Sequence, residues 1–183
     1  LDHTELVPTV ERARNGDRPA LAELCAEFYP RVLRFMHYRV GPRFAEDLAA
    51  EVFLKVVRAI GTQSGSFPAW LFRIAANVVT DHFRASATQR EASMTEAVLE
   101  SVASRDQPAA AVAHKLDIAR ALEQLTDDQR ELVTLKFIEG LSNADIGEIT
   151  GRSPEAIRVL QFRALAAMRQ FLSREEPSDG KQP

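Results

Sequence analysis

Residues 141–172, LSNADIGEITGRSPEAIRVLQFRALAAMRQFL, read as two helices joined by a tight turn. The first is short and carries apolar Ala144, Ile146 and Ile149. Gly151 can take the left-handed conformation that closes a helix, and Ser153 with Pro154 supplies an N-cap and a first-turn proline for the next. This is helix-turn-helix grammar. Placing the second helix at about 100° per residue puts Ile157, Leu160, Ala164, Met168, Phe171 and Leu172 on one face, which reads as core. The opposite face carries Glu155, Arg158, Val159, Phe162, Arg163 and Arg169, so an aromatic and a branched aliphatic stand among arginines where water is expected. Arg can contact guanine bidentately or neutralise phosphate, and apolar side chains can touch thymine methyls, so the face suits a DNA reader. A solvated basic face with one stray Phe is the competing reading.

The rest of the chain limits what such a reader can do. Its 183 residues, 45% hydrophobic and 27% charged, are ordinary for one large or two small soluble domains. A net charge of −3 and a pI near 5.9 argue against nonspecific coating of nucleic acid, because phosphate affinity is largely a Lys/Arg term. DNA binding must then be local, weak alone, or licensed by a partner. A single cysteine, Cys25, excludes an intramolecular disulfide and reads as a small buried hydrophobe on the stripe of Leu21, Leu24 and Phe28. No apolar run is long enough to span a bilayer, and the start LDHTELVP lacks a signal segment, so the expected location is cytoplasmic.

Helical periodicity recurs along the chain. A short helix is expected over residues 4–15, ended by Gly16. Asp17 caps a run over 18–28 that Pro30 should break or kink before it resumes over 31–40. Next comes RFAEDLAAEVFLKVVRAIG, with Phe44, Leu48, Val52, Leu54, Val56 and Ile60 as its apolar face and Glu46, Asp47 and Glu51 clustered near its start. Those acids suit either the helix dipole or a contact surface. After the loop GTQSGSFP, in which Ser64 or Ser66 can cap, AWLFRIAANVVTDHFRA is helical. Trp70, Leu71, Ile74, Val78 and Phe83 form its apolar stripe, with Arg73, Asn77, Thr80, Asp81 and Arg84 among them. From Ser86 to Pro108 the periodicity weakens into Ala, Ser, Thr, Gln and Glu, which marks a flexible or weakly helical linker. Helicity returns over 111–125, and Thr126 then caps a helix DDQRELVTLKFI. The division is residues 1–85, linker 86–110, residues 111–174 and a polar, disordered tail 175–183, in an all-α fold of two helical domains.

Motifs for chemistry are missing. His3, His37, His82 and His114 are isolated, and Asp81 and His82, as helix neighbours about 100° apart, do not converge on a metal. There is no phosphate loop, nucleophile elbow or dinucleotide fingerprint, so neither an enzyme, a cofactor, a metal nor a small-molecule substrate is expected.

With both halves in view, the chain resembles the extracytoplasmic-function (ECF) sigma factors, two-domain bacterial transcription initiation factors. AEDLAAEVFLKVVRAI and SFPAWLFRIAANVVTDHFR resemble the family's region 2, and ALEQLTDDQRELVTLKFIEGLSNADIGEITGRSPEAIRVLQFRAL resembles region 4. The resemblance implies partners: core RNA polymerase, met at its clamp coiled coil and flap, promoter DNA, and an anti-sigma factor. It implies that Glu46, Asp47, Leu48, Glu51 and Phe53 dock on the clamp. It implies that Thr62, Gln63 and Ser64 in the loop, with Arg73, Asn77, Asp81 and Arg84, meet the −10 element, where an unstacked base needs a pocket and hydrogen-bonding groups. It implies that Arg152, Ser153, Glu155, Arg158, Val159, Phe162 and Arg163 read the −35 element. The implied location is cytoplasmic, on the nucleoid within holoenzyme or held at the membrane by an anti-sigma factor. A stand-alone helix-turn-helix regulator, binding its operator without polymerase, is the alternative.

Overall fold

The computed structural model describes residues 3–90, 118 and 120–175, and every regular element among them is helical. The expected linker beyond Arg90, most of the expected 111–125 helix and the tail after Glu175 lie outside the described residues. Helix α1, His3–Arg14, ends at Gly16, whose φ of 90° needs the freedom of glycine. Asp17 then caps α2, Arg18–Val40, by accepting from the Ala20 N–H at 3.1 Å. That bond, with the Arg12 guanidinium, holds the Asp17 carboxyl below its usual pKa.

Pro30 does not interrupt α2. A proline costs a helix interior one hydrogen bond and about 3 kcal/mol, but Leu24, Phe28, Val32, Phe35 and Met36 are buried on both sides of it. Packing at about 1.5–3 kcal/mol per large side chain outweighs the penalty. Cys25 is half-buried rather than sequestered, and burial raises its thiol pKa.

Helix α3, Pro42–Ala59, corrects the expected apolar face. The buried positions are Ala45, Ala49, Val52 and Val56, while Phe44 and Leu54 are exposed. The small alanines let α3 lie along α2, so the bulkier residues face outward. A 3-10 turn, Ile60–Thr62, leads through the loop to α4, Phe67–Arg90, which Ser66 caps through the Ala69 N–H. Helix α4 continues through residues 86–90, the first five positions read as linker.

Helix α4 is buried around more than half its girth. Phe67, Trp70, Leu71, Phe72, Ala75, Val78 and Val79 all lie in the core, so Trp70 is the core residue its stripe implied. Ile74 is only half-buried and Phe83 is exposed, contrary to expectation, because α4 packs against α2 and α3 and also against a helix of the C-terminal half. Edge-on pairs Phe28–Phe67 and Phe35–Phe72, at 5.1 and 5.5 Å between centroids, lock α2 to α4.

In the C-terminal half, Thr126 and Gln129 form a capping box that starts α5, Asp127–Val133. The expected single helix over 127–138 then widens into a π-turn, Thr134–Ile138. The Thr134 hydroxyl donates to the Arg130 carbonyl at 2.7 Å, and the Glu139 N–H reaches back five residues to the Thr134 carbonyl at 3.0 Å. Helices α6, Asn143–Thr150, and α7, Pro154–Glu175, complete the half. The two halves are not separate bodies: Leu132, Leu135, Leu141, Ile146 and Ile157 join the core of α1–α4, while Leu122, Leu125, Val133 and Ala164 form a smaller cluster.

Candidate functional site

The helix-turn-helix is built as its sequence reads. Ser142 and Asp145 cap α6 reciprocally, Gly151 closes it at φ 67°, and the Ser153 hydroxyl accepts from the Ala156 N–H at 3.2 Å to open α7. Ile157 and Ala164 anchor α7 in the core, with Leu160, Met168 and Phe171 half-buried. Leu172, expected in the core, is exposed instead, beside Leu165, Met168, Arg169 and Ser173 around an open hollow near the end of α7. Gly147 carries a role its sequence did not announce. A Cβ there would stand 3.1 Å from the Arg152 carbonyl and 3.5 Å from Ile157 Cδ1, so any larger residue would press the turn back by a few tenths of an ångström.

On the outer face of α7, Glu155, Arg158, Val159, Phe162 and Arg163 all stand in solvent, and Phe162 is 76% exposed. An aromatic ring left in water at that level is the kind of group an interface buries. Arg152 is engaged within the fold: its guanidinium pairs with Asp128 at 2.6 Å, fixing the turn to the start of α5. Ser153 is exposed but serves as the cap.

The second set of residues gathers between α3 and α4. Asn77, Asp81 and Arg84 line an open hollow of about 480 Å³ together with Lys55, Ala59, Ile74 and Thr80. Lys55 bridges acids on both walls, 3.0 Å from Glu51 and 3.9 Å from Asp81. The one local signal for Lys55 in the sequence is the acid Glu51 four residues earlier. Arg73, half-buried, lies one turn before Asn77 on the same stripe but outside this lining. His82 packs its ring between Phe44 and Phe83, at 4.7 and 5.7 Å.

The loop before α4 divides by exposure. Thr62 and Ser64 are exposed, and Thr62 donates to the Ala59 carbonyl at 2.8 Å. Gln63, expected to meet DNA alongside them, is only 2% exposed and donates to the Gly65 carbonyl at 2.8 Å. Its amide is spent on shaping the loop, because the turn at Gly65 leaves a carbonyl that needs a donor.

The α3 surface also differs from expectation. Glu46 and Asp47 are exposed, Leu48 and Glu51 half-buried, and Phe53 lies half-buried with its ring 5.7 Å from that of Tyr29. The apolar groups that α3 does present to solvent are Leu54 and Val57, 58% and 51% exposed. Leu54 falls on the stripe of Asp47 and Arg58, at i−7 and i+4, so an exposed apolar group stands among charged neighbours on this face.

Comparison with known proteins agrees with this geometry. The family profile "Sigma-70 region 2" matches residues 24–89, and "Sigma-70, region 4" matches residues 115–168. RNA polymerase sigma factor CarQ of Myxococcus xanthus is 37% identical over 175 residues, covering 91% of this chain and 97% of its own length. The chain belongs to the ECF sigma factors. ECF RNA polymerase sigma factor BldN of Streptomyces coelicolor is 36% identical over 178 residues, covering 93% of this sigma factor and 67% of its own length. The fold of this sigma factor is that of CnrH in complex with the cytosolic domain of CnrY, with a TM-score of 0.70 at 22% identity over 92% of this chain and 97% of that one. RpoE in complex with the anti-sigma factor NepR from Bartonella quintana also gives 0.70, at 22% identity over 85% of this chain and 98% of that one. As a sigma factor the protein is not an enzyme; it directs core RNA polymerase to promoters and takes part in transcription initiation. Among the described residues no helix is long and apolar enough to cross a membrane, and no group of three or more His, Cys, Asp or Glu could hold a metal ion.

Proposed function

We propose that this sigma factor divides its work among three surfaces. The outer face of α7, with Arg158, Val159, Phe162 and Arg163, reads the −35 element, and Arg152, Ser153 and Glu155 shape the approach to it. The hollow between α3 and α4 receives an unstacked base of the −10 element. Asn77 supplies hydrogen bonds, Arg73, Arg84 and Lys55 follow the backbone, and Thr62 and Ser64 border the strand. The α3 patch of Glu46, Asp47, Glu51 and Leu54 docks on core polymerase, with Leu48 and Phe53 holding the patch in shape. The observation that carries this reading is the exposure of Phe162 between two arginines on a helix whose other face is anchored by Ile157 and Ala164.

Residues 1–90, with α4 extended through 86–90, and 111–174 serve as the two promoter-binding units, with the chain between them setting the span. A negative net charge suits a reader whose affinity comes from being delivered by polymerase rather than from its own electrostatics. The relatives CnrH and RpoE, solved with CnrY and NepR, support an anti-sigma factor as a further partner. The direct test is photocrosslinking within holoenzyme on a promoter fork. A probe at Phe162 should label −35 bases and a probe at Thr80 should label the −10 non-template strand; labels at other positions would contradict the assignment.

A further inference from the structure

The turn into α7 carries a charge that is held by a residue outside the helix-turn-helix. Arg152 stands between Gly151, which closes α6, and Ser153, which caps α7. Its backbone is confined on one side, because the Arg152 carbonyl lies so near Gly147 that a Cβ there would come within 3.1 Å. Its side chain is confined on the other. A terminal guanidinium nitrogen donates to Asp128 Oδ2 at 2.6 Å, from 24 residues away in sequence. Asp128 is the second residue of α5, and Thr126 with Gln129 already caps that helix, so α5 does not depend on Asp128 for its start.

The pair leaves most of the guanidinium uncommitted. Arginine offers five N–H donors in a rigid fork, and among the described residues Arg152 gives one hydrogen bond, to Asp128. The Arg152 side chain is 37% exposed and that of Asp128 56%. Burial raises the pKa of Glu131, one turn further along α5, with Arg39 and Arg152 opposing it, so Arg152 feels a second acid on the α5 side.

An exposed ion pair of this kind adds little to stability; its value lies in where it holds the guanidinium. In a helix-turn-helix the first residues of the second helix enter the major groove. The residue just before that helix then stands at the rim of the groove, where contacts go to phosphate. An arginine that is not held must give up its rotamer freedom on meeting that phosphate, and this ordering opposes binding. Asp128 removes the cost in advance. Its charge also weakens the pull of Arg152 on distant phosphates, so the pair exchanges long-range attraction for fixed geometry, in keeping with a net charge of −3.

We propose that Asp128 is a positioning residue for promoter recognition: it presets Arg152 so that the uncommitted donors of the guanidinium clamp a DNA backbone phosphate beside the −35 bases read by α7. This rests on the −35 reading of the α7 face given above. Asp128 itself touches no DNA. A phosphate contact is blind to sequence, so Asp128 raises affinity and leaves the choice of bases to Arg158, Val159, Phe162 and Arg163.

The test is fluorescence anisotropy of holoenzyme, assembled from the full chain and bacterial core polymerase, on a duplex promoter fragment chosen by its run-off transcript and titrated over about 50–200 mM salt. Arg152→Ala should reduce the slope of log affinity against log salt by about 0.9, the signature of one lost phosphate contact. Asp128→Ala should weaken binding about fivefold, equally on fragments with single −35 bases changed, and should cost nothing further in the Arg152→Ala background. Asp128→Asn, which keeps an oxygen for the guanidinium, should bind at least as tightly as wild type. Asp128→Ala that binds as well as wild type or better would make Asp128 a mask on Arg152 and overturn the proposal. A slope indifferent to Arg152→Ala, an Asp128→Ala loss of the same size once Arg152 is gone, or a loss that tracks a lowered urea midpoint would overturn it as well. If Phe162→Ala leaves affinity unchanged while Arg152→Ala still flattens the slope, the −35 reading of α7 fails and the phosphate contact stands. If Phe162→Ala weakens binding and Asp128→Ala does not, the positioning role alone fails.

Discussion

Replacing Phe162 by Ala separates function from stability at a single position. A Phe side chain presents about 200 Å², and at 76% exposure about 150 Å² of it waits to be covered, worth up to about 4 kcal/mol at about 25 cal/mol per Å². Interfaces return only part of such a sum, and Ala retains the Cβ, so the expected loss is about 1–2 kcal/mol, or about 5- to 30-fold in affinity. The folded protein should not register the change, because exposed helix positions tolerate substitution within about 0.5 kcal/mol and Ala is the better helix former. Ile157→Ala, one turn back on the buried face, should do the reverse. It removes a fully buried side chain at a cost of about 2–5 kcal/mol, lowering stability and DNA binding together. Urea denaturation of the free proteins, paired with fluorescence anisotropy of holoenzyme on a −35-containing promoter, measures both quantities. Phe162→Ala that loses more than about 1 kcal/mol of stability, or that keeps wild-type promoter affinity, would refute the placement of the reading face.

Further outcomes follow from the same geometry. Gly147→Val should destabilise the protein by about 1–3 kcal/mol, read as a lower urea midpoint, because even a Cβ would sit 3.1 Å from the Arg152 carbonyl. Leu54→Ala should leave that midpoint unchanged and weaken binding to core polymerase by about tenfold, measured by biolayer interferometry; Phe53→Ala should instead lower the midpoint. Burial holds the His37 pKa below its usual 6.5, with Glu46 opposing. The unfolded chain therefore binds more protons just below that pH than the native protein does, and the His37 contribution to stability, full above about 6.5, is lost as pH falls from there through its lower folded-state pKa. Urea midpoints at pH 7.5 and 5.5 should differ less in His37→Gln than in wild type.

Much of the architecture was readable because its determinants are local. Gly151, Ser153 and Pro154 each fix a backbone state within one turn, and the stripe through Ile157 and Ala164 needs only helical spacing. Trp70 was legible for the same reason. The errors share another origin: periodicity shows that α3 and α4 have apolar stripes but not which stripe meets a neighbour. Phe44, Leu54 and Phe83 therefore reached solvent, while Ala45 and Ala49 took the close contact with α2. Pro30 does not break α2: its local cost is visible in sequence, and the packing of Phe28, Val32 and Phe35 that offsets it is not. Gln63 looked like a polar loop residue because the carbonyl it satisfies exists only once Gly65 turns. The pairing of Glu139 with Arg31 and Arg34 lies entirely beyond local reasoning, since nothing in either segment names the other.

The account stands or falls on run-off transcription. Purified protein mixed with bacterial core polymerase and a library of genomic promoter fragments should give discrete transcripts, each lost when its −35 or its −10 element is scrambled and each weakened by Phe162→Ala. Transcripts indifferent to both elements, or none above core polymerase alone, would contradict a factor that reads two promoter elements from two helical halves.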